Sequence, residues 1–471
     1  MKRPIGWKML SKQTAPNALH NSSARFDRPK CDEDTRVEVN SELMNWIQDR
    51  DAPQRLLCIT GAAGAGKSAL QQTLAESCTK SDILAAGFFF SAVDSTRNNS
   101  STIATTIAYQ IGLCNQALRQ YIGAAIEHDQ HIFSRELKTQ MDVLIVRPVQ
   151  RLRSLGFNPN HLPQYVIIID GLDECQGERH QAGVLSIVKQ CLLDNDLPFR
   201  IVIASRPEWA IRSALEPGGY LHGIAYHLRL SDNYDASADI RRYLWRRLRD
   251  IGSRSSDPRA RSPLWPSQDV IEMLVKAASG QFVYAATVVK YVSERHSSPV
   301  DKLQVLTTWT STQHHQARPF ETLDILYSGI LRTARAEYEA VDTNSGRDFL
   351  LLLAAHHFNA VNGIGDHTTS TAQYSAATFD SILNLEEGAF VNLISDLRSL
   401  VTLESQKFLY HGGAAHTVLR FYHLSFSEFM NTPSRSRDVF VSPEEICAFV
   451  AKCCLRNISR HSLESREFSV I

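Results

Sequence analysis

The stretch "GAAGAGKSAL", residues 61–70, constrains this chain more than any other part of its sequence. It fits the pattern G-x-x-x-x-G-K-[ST], in which Gly61, Gly66, Lys67 and Ser68 hold the fixed positions. Glycines allow a tight backbone path that points successive N–H groups at phosphate oxygens, and the start of the following helix favours the same negative charge. The pattern therefore predicts a loop that cradles nucleotide phosphates. The alternative is a small-residue turn without a ligand.

The flanking sequence supports the phosphate-binding interpretation. "RLLCIT", residues 55–60, is an apolar run typical of a buried strand. Leu70, Leu74 and Cys78 recur at the spacing of an amphipathic helix. Lys67 is expected at the β- and γ-phosphates, and Ser68 at Mg²⁺. The predicted phosphate-binding residues are Gly61, Ala62, Ala63, Gly64, Ala65, Gly66, Lys67, Ser68 and Ala69.

A second nucleotide signal is "VIIIDGLDEC", residues 166–175. Its β-branched run is typical of a parallel strand covered on both faces. The run ends in Asp170, Asp173 and Glu174, and carboxylates at the end of a strand suit Mg²⁺ beside a triphosphate. We expect Asp170 to hold the ion with Ser68, and either Asp173 or Glu174 to orient and deprotonate an attacking water. The alternative is an acidic turn that caps the next helix.

A third signal is "IVIASRPEW", residues 201–209, another buried strand that ends in a charged residue. An arginine just beyond the carboxyl end of a strand can face the γ-phosphate and respond to its presence. Arg206 is therefore a candidate sensor, although a surface arginine at a helix start is the alternative. Apolar runs at 83–91 and 224–230 add two strands. Strands that alternate with helices predict an α/β fold with a five-stranded parallel sheet.

Composition bounds what else the chain can be. Its 471 residues predict two to four domains, and 43% hydrophobic with 21% charged residues is typical of a globular protein. Fifty basic and fifty acidic residues cancel, which favours neither nucleic acid nor an anionic membrane as partner. No apolar run is long enough to span a bilayer, and the N-terminus lacks a signal region. With nine scattered cysteines, these features predict a cytoplasmic protein that is not secreted.

The three signals together resemble the NACHT branch of signal-transduction NTPases, in particular fungal NACHT proteins with a nephrocystin-3-like nucleotide-binding module. Ala62 stands where a proline is frequent in that family, and Ala92 where an arginine is frequent. The resemblance implies an ATP- and ADP-dependent switch that opens and forms a homo-oligomer when ATP is bound, and that engages a protein effector of unknown identity. It also implies that the strand bearing Arg206 separates the other two signal-bearing strands in the sheet.

Beyond residue 231 the pattern becomes mainly helical. We expect an N-terminal extension (1–30), a P-loop domain (31–231), a helical domain with a linker at 297–319 (232–318), and a winged-helix and C-terminal helical region (319–471). The winged helix is predicted from two short strands, "KFLYH" at 407–411 and "LRFYH" at 419–423. No internal repeat is evident, so the chain is expected to be a core-only member or a shortened gene product.

His423, in "FYHLSFSEF", is the candidate of interest in the C-terminal region. The resemblance implies that this histidine contacts the β-phosphate of ADP and locks the closed form. The alternative is a hydrogen-bonded histidine at a strand end. For the chain as a whole, a nucleotide-binding scaffold without turnover, a P-loop phosphotransferase and DNA binding through the winged helix are the rival functions. Neutral overall charge argues against the last.

Overall fold

The computed structural model describes residues 5–467 except 26–28, 93, 158–161, 231–233, 295–296, 312–320, 345, 363–373, 387, 398–399, 408–414 and 422. The chain divides into two compact units, Met1–Asp239 and Ile240–Ile471. The first holds a five-stranded sheet, and the second is mainly helical with one β-hairpin. Within the residues described, no helix is long and apolar enough to cross a membrane.

The sheet of the first unit is entirely parallel. Its strands are β1 (Leu56–Thr60), β2 (Leu84–Phe89), β3 (Val166–Asp170), β4 (Arg200–Ser205) and β5 (Ala225–Arg229). Their order across the sheet is β2-β3-β4-β1-β5. This confirms the predicted five-stranded parallel sheet, and β4 lies between β1 and β3 as the resemblance implied. Every residue of β1, β3 and β4 is buried, which explains why these strands are unbroken apolar runs.

Helices cover both faces of this sheet. They are α1 (Ile5–Lys12), α2 (Val37–Gln48), α3 (Lys67–Lys80), α4 (Ile103–Cys114), α5 (Gln116–His128), α6 (Leu137–Met141), α7 (Arg147–Ser154), α8 (Glu178–Ile187) and α9 (Trp209–Leu215). Successive side chains of a strand point to opposite faces, so Ile167 and Ile169 join one core while Val166 and Ile168 join the other.

The N-terminal segment packs within the first unit. Trp7, Leu10, Ala15 and Ala18 are buried in the larger of its two cores. Main-chain groups of this segment also bond to side chains of α4 and α5. The N–H of Ala15 donates to Thr106 Oγ1 at 2.9 Å, and the N–H of Gly6 donates to Glu127 Oε1 at 2.9 Å. The extension is therefore part of the packed body that carries the sheet.

The second unit is built mainly from helices. They are α10 (Ser237–Arg254), which begins at the end of the first unit, α11 (Gln268–Ala278), α12 (Phe282–Ser293), α13 (Pro299–Ser311), α14 (Glu321–Glu339), α15 (Phe349–Asn362), α16 (Ala376–Ile382), α17 (Ala389–Leu393), α18 (Leu424–Asn431), α19 (Pro433–Ser436) and α20 (Pro443–Glu467). The first half of the predicted linker at 297–319 contains a helix, α13. Burial of Leu303 and Leu306 stabilises that helix. Residues 312–320 lie outside the described part of the chain.

The hairpin of the second unit differs in position from its prediction. Strands β6 (Val401–Lys407) and β7 (Ala415–Phe421) pair antiparallel, with Val401 opposite Phe421. Lys407, the first residue of the predicted strand "KFLYH", is the last residue of β6, and the rest of that predicted strand falls in residues 408–414, outside the described part. A hairpin is confirmed, whereas a winged helix remains a prediction.

Candidate nucleotide-binding site

The glycine-rich loop connects β1 to α3 and has the backbone conformation that its sequence predicts. Gly64 and Gly66 have φ of 77° and 90°, a left-handed region in which a side chain is strained. Gly66 is the residue immediately before α3, so the unpaired N–H groups of the first helical turn face the loop. At Gly61 the space is also limited, because an added Cβ would lie 3.2 Å from Cβ of Leu230. The loop is therefore tight, and the start of α3 follows it directly.

Lys67 lies over this loop. Its Nζ donates to the carbonyl oxygens of Gly61, at 2.7 Å, and Ala62, at 3.0 Å. The side chain is buried, and this burial lowers the pKa of the ammonium group, while the charge of Asp173 raises it. A buried ammonium needs partners, and here the loop carbonyls supply them. The positive charge is thus held at the place where the loop would receive phosphates.

Asp170 and Ser68 meet beside the loop. Burial raises the pKa of Asp170 to about 6, while a hydrogen bond from Ser68 and the charge of Arg25 lower it. Its Oδ1 is buried and accepts no hydrogen bond from the described residues. Such an oxygen is costly unless a cation or donor binds it, and Mg²⁺ prefers oxygen ligands. The described residues include no group of three or more His, Cys, Asp and Glu side chains that could hold a metal. Here Mg²⁺ would draw its other oxygens from phosphate and water.

Asp173 and Arg206 form an ion pair at the ends of β3 and β4. Oδ1 of Asp173 accepts the main-chain N–H of Arg206 at 2.9 Å and the hydroxyl of Ser205 at 3.3 Å. Its Oδ2 lies 3.2 Å from Nε of Arg206, and both side chains are largely buried. Both oxygens of Asp173 are therefore engaged in holding the arginine.

Glu174 has a different environment from its neighbour. Its Oε2 accepts the main-chain N–H of Ala92, at 3.0 Å, from the loop after β2. Burial and then the charge of Asp173 raise the pKa of Glu174 to about 7, although the Ala92 bond lowers it. A carboxyl group that titrates near neutral pH can accept a proton from water under physiological conditions. Of the two acids that sequence reasoning left open, Glu174 is the better placed to act as a base.

The predicted residues of the first unit converge on one edge of the sheet. Lys67 interacts electrostatically with each of the other four charged candidates, Asp173, Arg206, Asp170 and Glu174. These residues follow β1, β3 and β4, and parallel strands bring their carboxyl ends to the same edge. The convergence is therefore a consequence of the strand order.

Sequence reasoning missed two arginines at this edge. Arg36 donates from Nη2 to the loop carbonyl of Ala65 at 3.1 Å. Arg25 donates from Nη1 to Gln72 Oε1 at 2.8 Å, and its guanidinium lies 3.8 Å from the ring centre of Phe89. No motif marks either residue, since each reaches the site through chain folding from an N-terminal segment.

His423 belongs to the second unit and lies directly before α18. Its Nδ1 accepts the N–H of Ser425 at 3.1 Å and lies 2.7 Å from the hydroxyl oxygen of that serine. That hydroxyl in turn lies 2.7 Å from the hydroxyl of Tyr327, a buried residue of α14. The histidine therefore caps a helix. This arrangement is similar to the alternative interpretation, a hydrogen-bonded histidine at a strand end. Its contact with nucleotide stays a prediction.

Part of the chain matches the model of a known protein family. Residues 37–206 match the family model "Nephrocystin 3, N-terminal". The nephrocystin 3 N-terminal match covers less than half of the chain, from α2 to Arg206, and includes the glycine-rich loop and both acid- and arginine-bearing strands. It supports a nucleotide-binding module of that type for this part of the molecule.

Other comparisons add little. A search of curated proteins gave no match. Among solved structures, that of Drosophila ORC bound to DNA has a TM-score of 0.35 and 14% identity, and the alignment covers 83% of this chain and 94% of that one. A similarity this low carries no argument about function.

Proposed function

We propose that this protein is an intracellular nucleotide-dependent switch of the NACHT type, which binds ATP or ADP with Mg²⁺ and hydrolyses ATP slowly. One observation carries the proposal. Asp170, at the end of β3, lies near Ser68 of the loop helix, which lowers the pKa of Asp170, and its Oδ1 is buried without a donor among the described residues. A serine and a carboxylate in this relation are suited to hold Mg²⁺ beside a phosphate chain. Bound Mg²⁺ supplies positive charge that neutralises the phosphates.

Other residues of the chain bind the phosphates, accept the proton and stabilise the negative charge. The main-chain N–H groups of residues 61–69 and the Lys67 ammonium bind the phosphates. Glu174 accepts a proton from the attacking water, and Arg206 stabilises negative charge at the γ-phosphate. Asp173 orients Arg206, since both of its oxygens are occupied by that task. These roles are chemically complementary and need no further catalytic side chain.

The second unit couples nucleotide state to conformation in this proposal. His423 donates from Nε2 to the β-phosphate of ADP, as the resemblance implies, and holds a closed form. Acceptance of the Ser425 N–H at Nδ1 supports this tautomer, because the proton of a neutral imidazole then resides on Nε2. Exchange of ADP for ATP releases the contact, and the open form associates with further copies and with a protein effector.

Two other functions compete with this one. A scaffold would bind nucleotide without turnover, and a phosphotransferase would pass the γ-phosphate to a small molecule. The raised pKa of Glu174 favours turnover over a scaffold. Hydrolysis by water needs no acceptor site, and the sequence offers no arginine-rich lid that would favour a phosphotransferase.

The test begins with mass spectrometry of the nucleotide that co-purifies with the full chain, where ADP is expected. Hydrolysis of Mg·ATP is then measured in single-turnover reactions, with an expected rate on the order of 10⁻³ to 10⁻² s⁻¹, similar to other unassisted nucleotide switches. Glu174→Gln should abolish turnover and retain binding, while Glu178→Gln, at an exposed position in α8, serves as the matched control. Binding with no turnover would favour a scaffold, a phosphorylated small molecule would favour a transferase, and no binding would refute all three.

A further inference from the structure

The loop that follows β2, residues 91–98, is described except at residue 93, and its described residues make several hydrogen bonds to one buried carboxylate. Oδ1 of Asp94 accepts the N–H and the hydroxyl of Thr96, at 3.1 and 2.6 Å. Its Oδ2 accepts Nε of Arg97 at 3.0 Å, and Arg97 donates from Nη1 to the carbonyl of Phe89, the last residue of β2, at 3.0 Å. Asp94 is 5% exposed. A buried charge with this many donors fixes the loop relative to the end of the strand.

The same loop is attached to the acidic segment after β3 at two points. The N–H of Ala92 donates to Oε2 of Glu174 at 3.0 Å, and the N–H of Gln176 donates to the carbonyl of Asn98 at 2.7 Å. The N-terminal segment adds a weaker contact, from Nδ2 of Asn17 to Oδ2 of Asp94 at 3.4 Å. The loop is thus held on one side by β2 and the N-terminal segment, and on the other it holds Glu174.

We propose that the loop of residues 91–98 is the positioning element for Glu174, and that it acts through the main-chain N–H of Ala92. This inference rests on the proposed hydrolysis, because it assigns Glu174 its place as the base. The charged groups that act on this carboxyl are Asp173, Asp170, Arg206 and Lys67. The two anions disfavour its charged form, whereas the two cations and the Ala92 N–H favour it, and of these only the N–H is hydrogen-bonded to Glu174 among the described residues.

A main-chain donor explains how the loop tolerates Ala92. The resemblance places an arginine at this position frequently, but the contact with Glu174 uses a group that every residue except proline carries. The side chain at 92 can therefore vary without loss of the contact. Proline is the one substitution at position 92 that removes this N–H.

The variant that tests this is Ala92→Pro, which removes one N–H, with Ala92→Ser as the matched control that keeps it. The full chain is used, and Mg·ATP affinity is measured beside the single-turnover rate. We expect Ala92→Pro to lower the rate tenfold or more with affinity within threefold of wild type, and Ala92→Ser to remain within twofold. An unchanged or increased rate in Ala92→Pro, or an equal loss in Ala92→Ser, would overturn the proposal. If Ala92→Pro does not fold, Asp94→Asn replaces it, since it loosens the same loop and should reduce the rate in the same way.

A second measurement does not depend on turnover. In nucleotide-free protein labelled with ¹⁵N-alanine, the amide resonance of Ala92 should titrate with the pKa of Glu174, near 7, and this titration should be absent in Glu174→Gln. An amide that does not follow Glu174 would refute the contact even in an active enzyme. If the Ala92 amide titrates but the wild-type protein does not hydrolyse ATP, the contact exists but the proposed hydrolysis is refuted. The catalytic use of the contact is then refuted as well. The two failures are therefore distinguishable.

Discussion

Asp173 binds Arg206 at two points, with Oδ1 on the main-chain N–H at 2.9 Å and Oδ2 at 3.2 Å from Nε. This ion pair links the ends of β3 and β4, which are neighbours in the sheet. It also distinguishes two adjacent acids, because both oxygens of Asp173 hold Arg206, whereas Glu174 accepts a hydrogen bond from the main-chain N–H of Ala92. Both acids follow β3, and they differ in the hydrogen-bond partners that the fold gives them.

The first prediction concerns this pair. Asp173→Asn and Arg206→Gln should each reduce ATP hydrolysis about tenfold to a hundredfold, because each disturbs the group that faces the γ-phosphate. Affinity for ADP should change less than threefold. The double variant should hydrolyse ATP no more slowly than the slower of the two single variants, since both changes remove the same interaction. Single-turnover kinetics measure this, with Arg212→Gln, an exposed arginine of α9, as the control. Additive losses would show that the two residues act independently.

The second prediction concerns the loop lysine. Lys67→Ala should weaken binding of both ATP and ADP at least about a hundredfold, because it removes the ammonium that the loop holds over its own carbonyls. Lys80→Ala, at the exposed end of the same helix, should bind as wild type does. Isothermal titration calorimetry is the measurement, and circular dichroism confirms folding. Equal affinity in wild type and Lys67→Ala would exclude a phosphate site in this loop.

The third prediction concerns the metal. Asp170→Asn should lower the affinity for ATP about tenfold or more when Mg²⁺ is present, and should have little effect in EDTA, because Oδ1 of this residue is buried and has no donor among the described residues. The comparison of both conditions in one variant provides the control. An equal loss with and without Mg²⁺ would assign Asp170 a structural role only.

The fourth prediction concerns the pH dependence of stability. The pKa of Glu174 is raised to about 7 in the folded protein, above an ordinary value near 4.5 in the unfolded chain. The protonated group therefore favours folding below the unfolded pKa, and this contribution is lost progressively up to the folded pKa. Relative to Glu174→Gln, wild type should lose on the order of 2 kcal/mol of unfolding free energy between about pH 4.5 and 7, after allowance for solvent screening. Urea unfolding without nucleotide measures it. If the unfolding free energies of the two proteins change with pH in the same way, the raised pKa of Glu174 would be contradicted.

The fifth prediction separates two roles of His423. His423→Ala removes both the helix cap and the imidazole, whereas His423→Asn retains a residue that caps helices well. If the imidazole contacts ADP, both variants should release a fluorescent ADP analogue about tenfold faster than wild type in stopped-flow displacement. If His423 only caps α18, Asn should restore the wild-type rate. That second outcome would remove the closed-state lock from the proposed function.

Much of the first unit could be predicted from local sequence. Strands β1, β3 and β4 are continuous apolar runs because they are buried on both faces, and such runs leave little ambiguity. The second unit was harder, since the hairpin strand Val401–Lys407 has a weak local preference and depends on its partner β7. The helix Pro299–Ser311 was missed for the same reason, as burial of its apolar residues supports it more than helix propensity does.

The sequence by itself determined the loop of residues 61–69, the acids after β3 and the arginine after β4, because each lies in a short contiguous run of residues with a characteristic chemistry. Only the tertiary structure decided that Asp173 holds Arg206 and that Glu174 receives the amide of Ala92. It also decided that Arg25 and Arg36 reach the same edge from the N-terminal segment. The physical reason is that these contacts join residues far apart in the chain, and three of them use a main-chain group, which residue type does not mark.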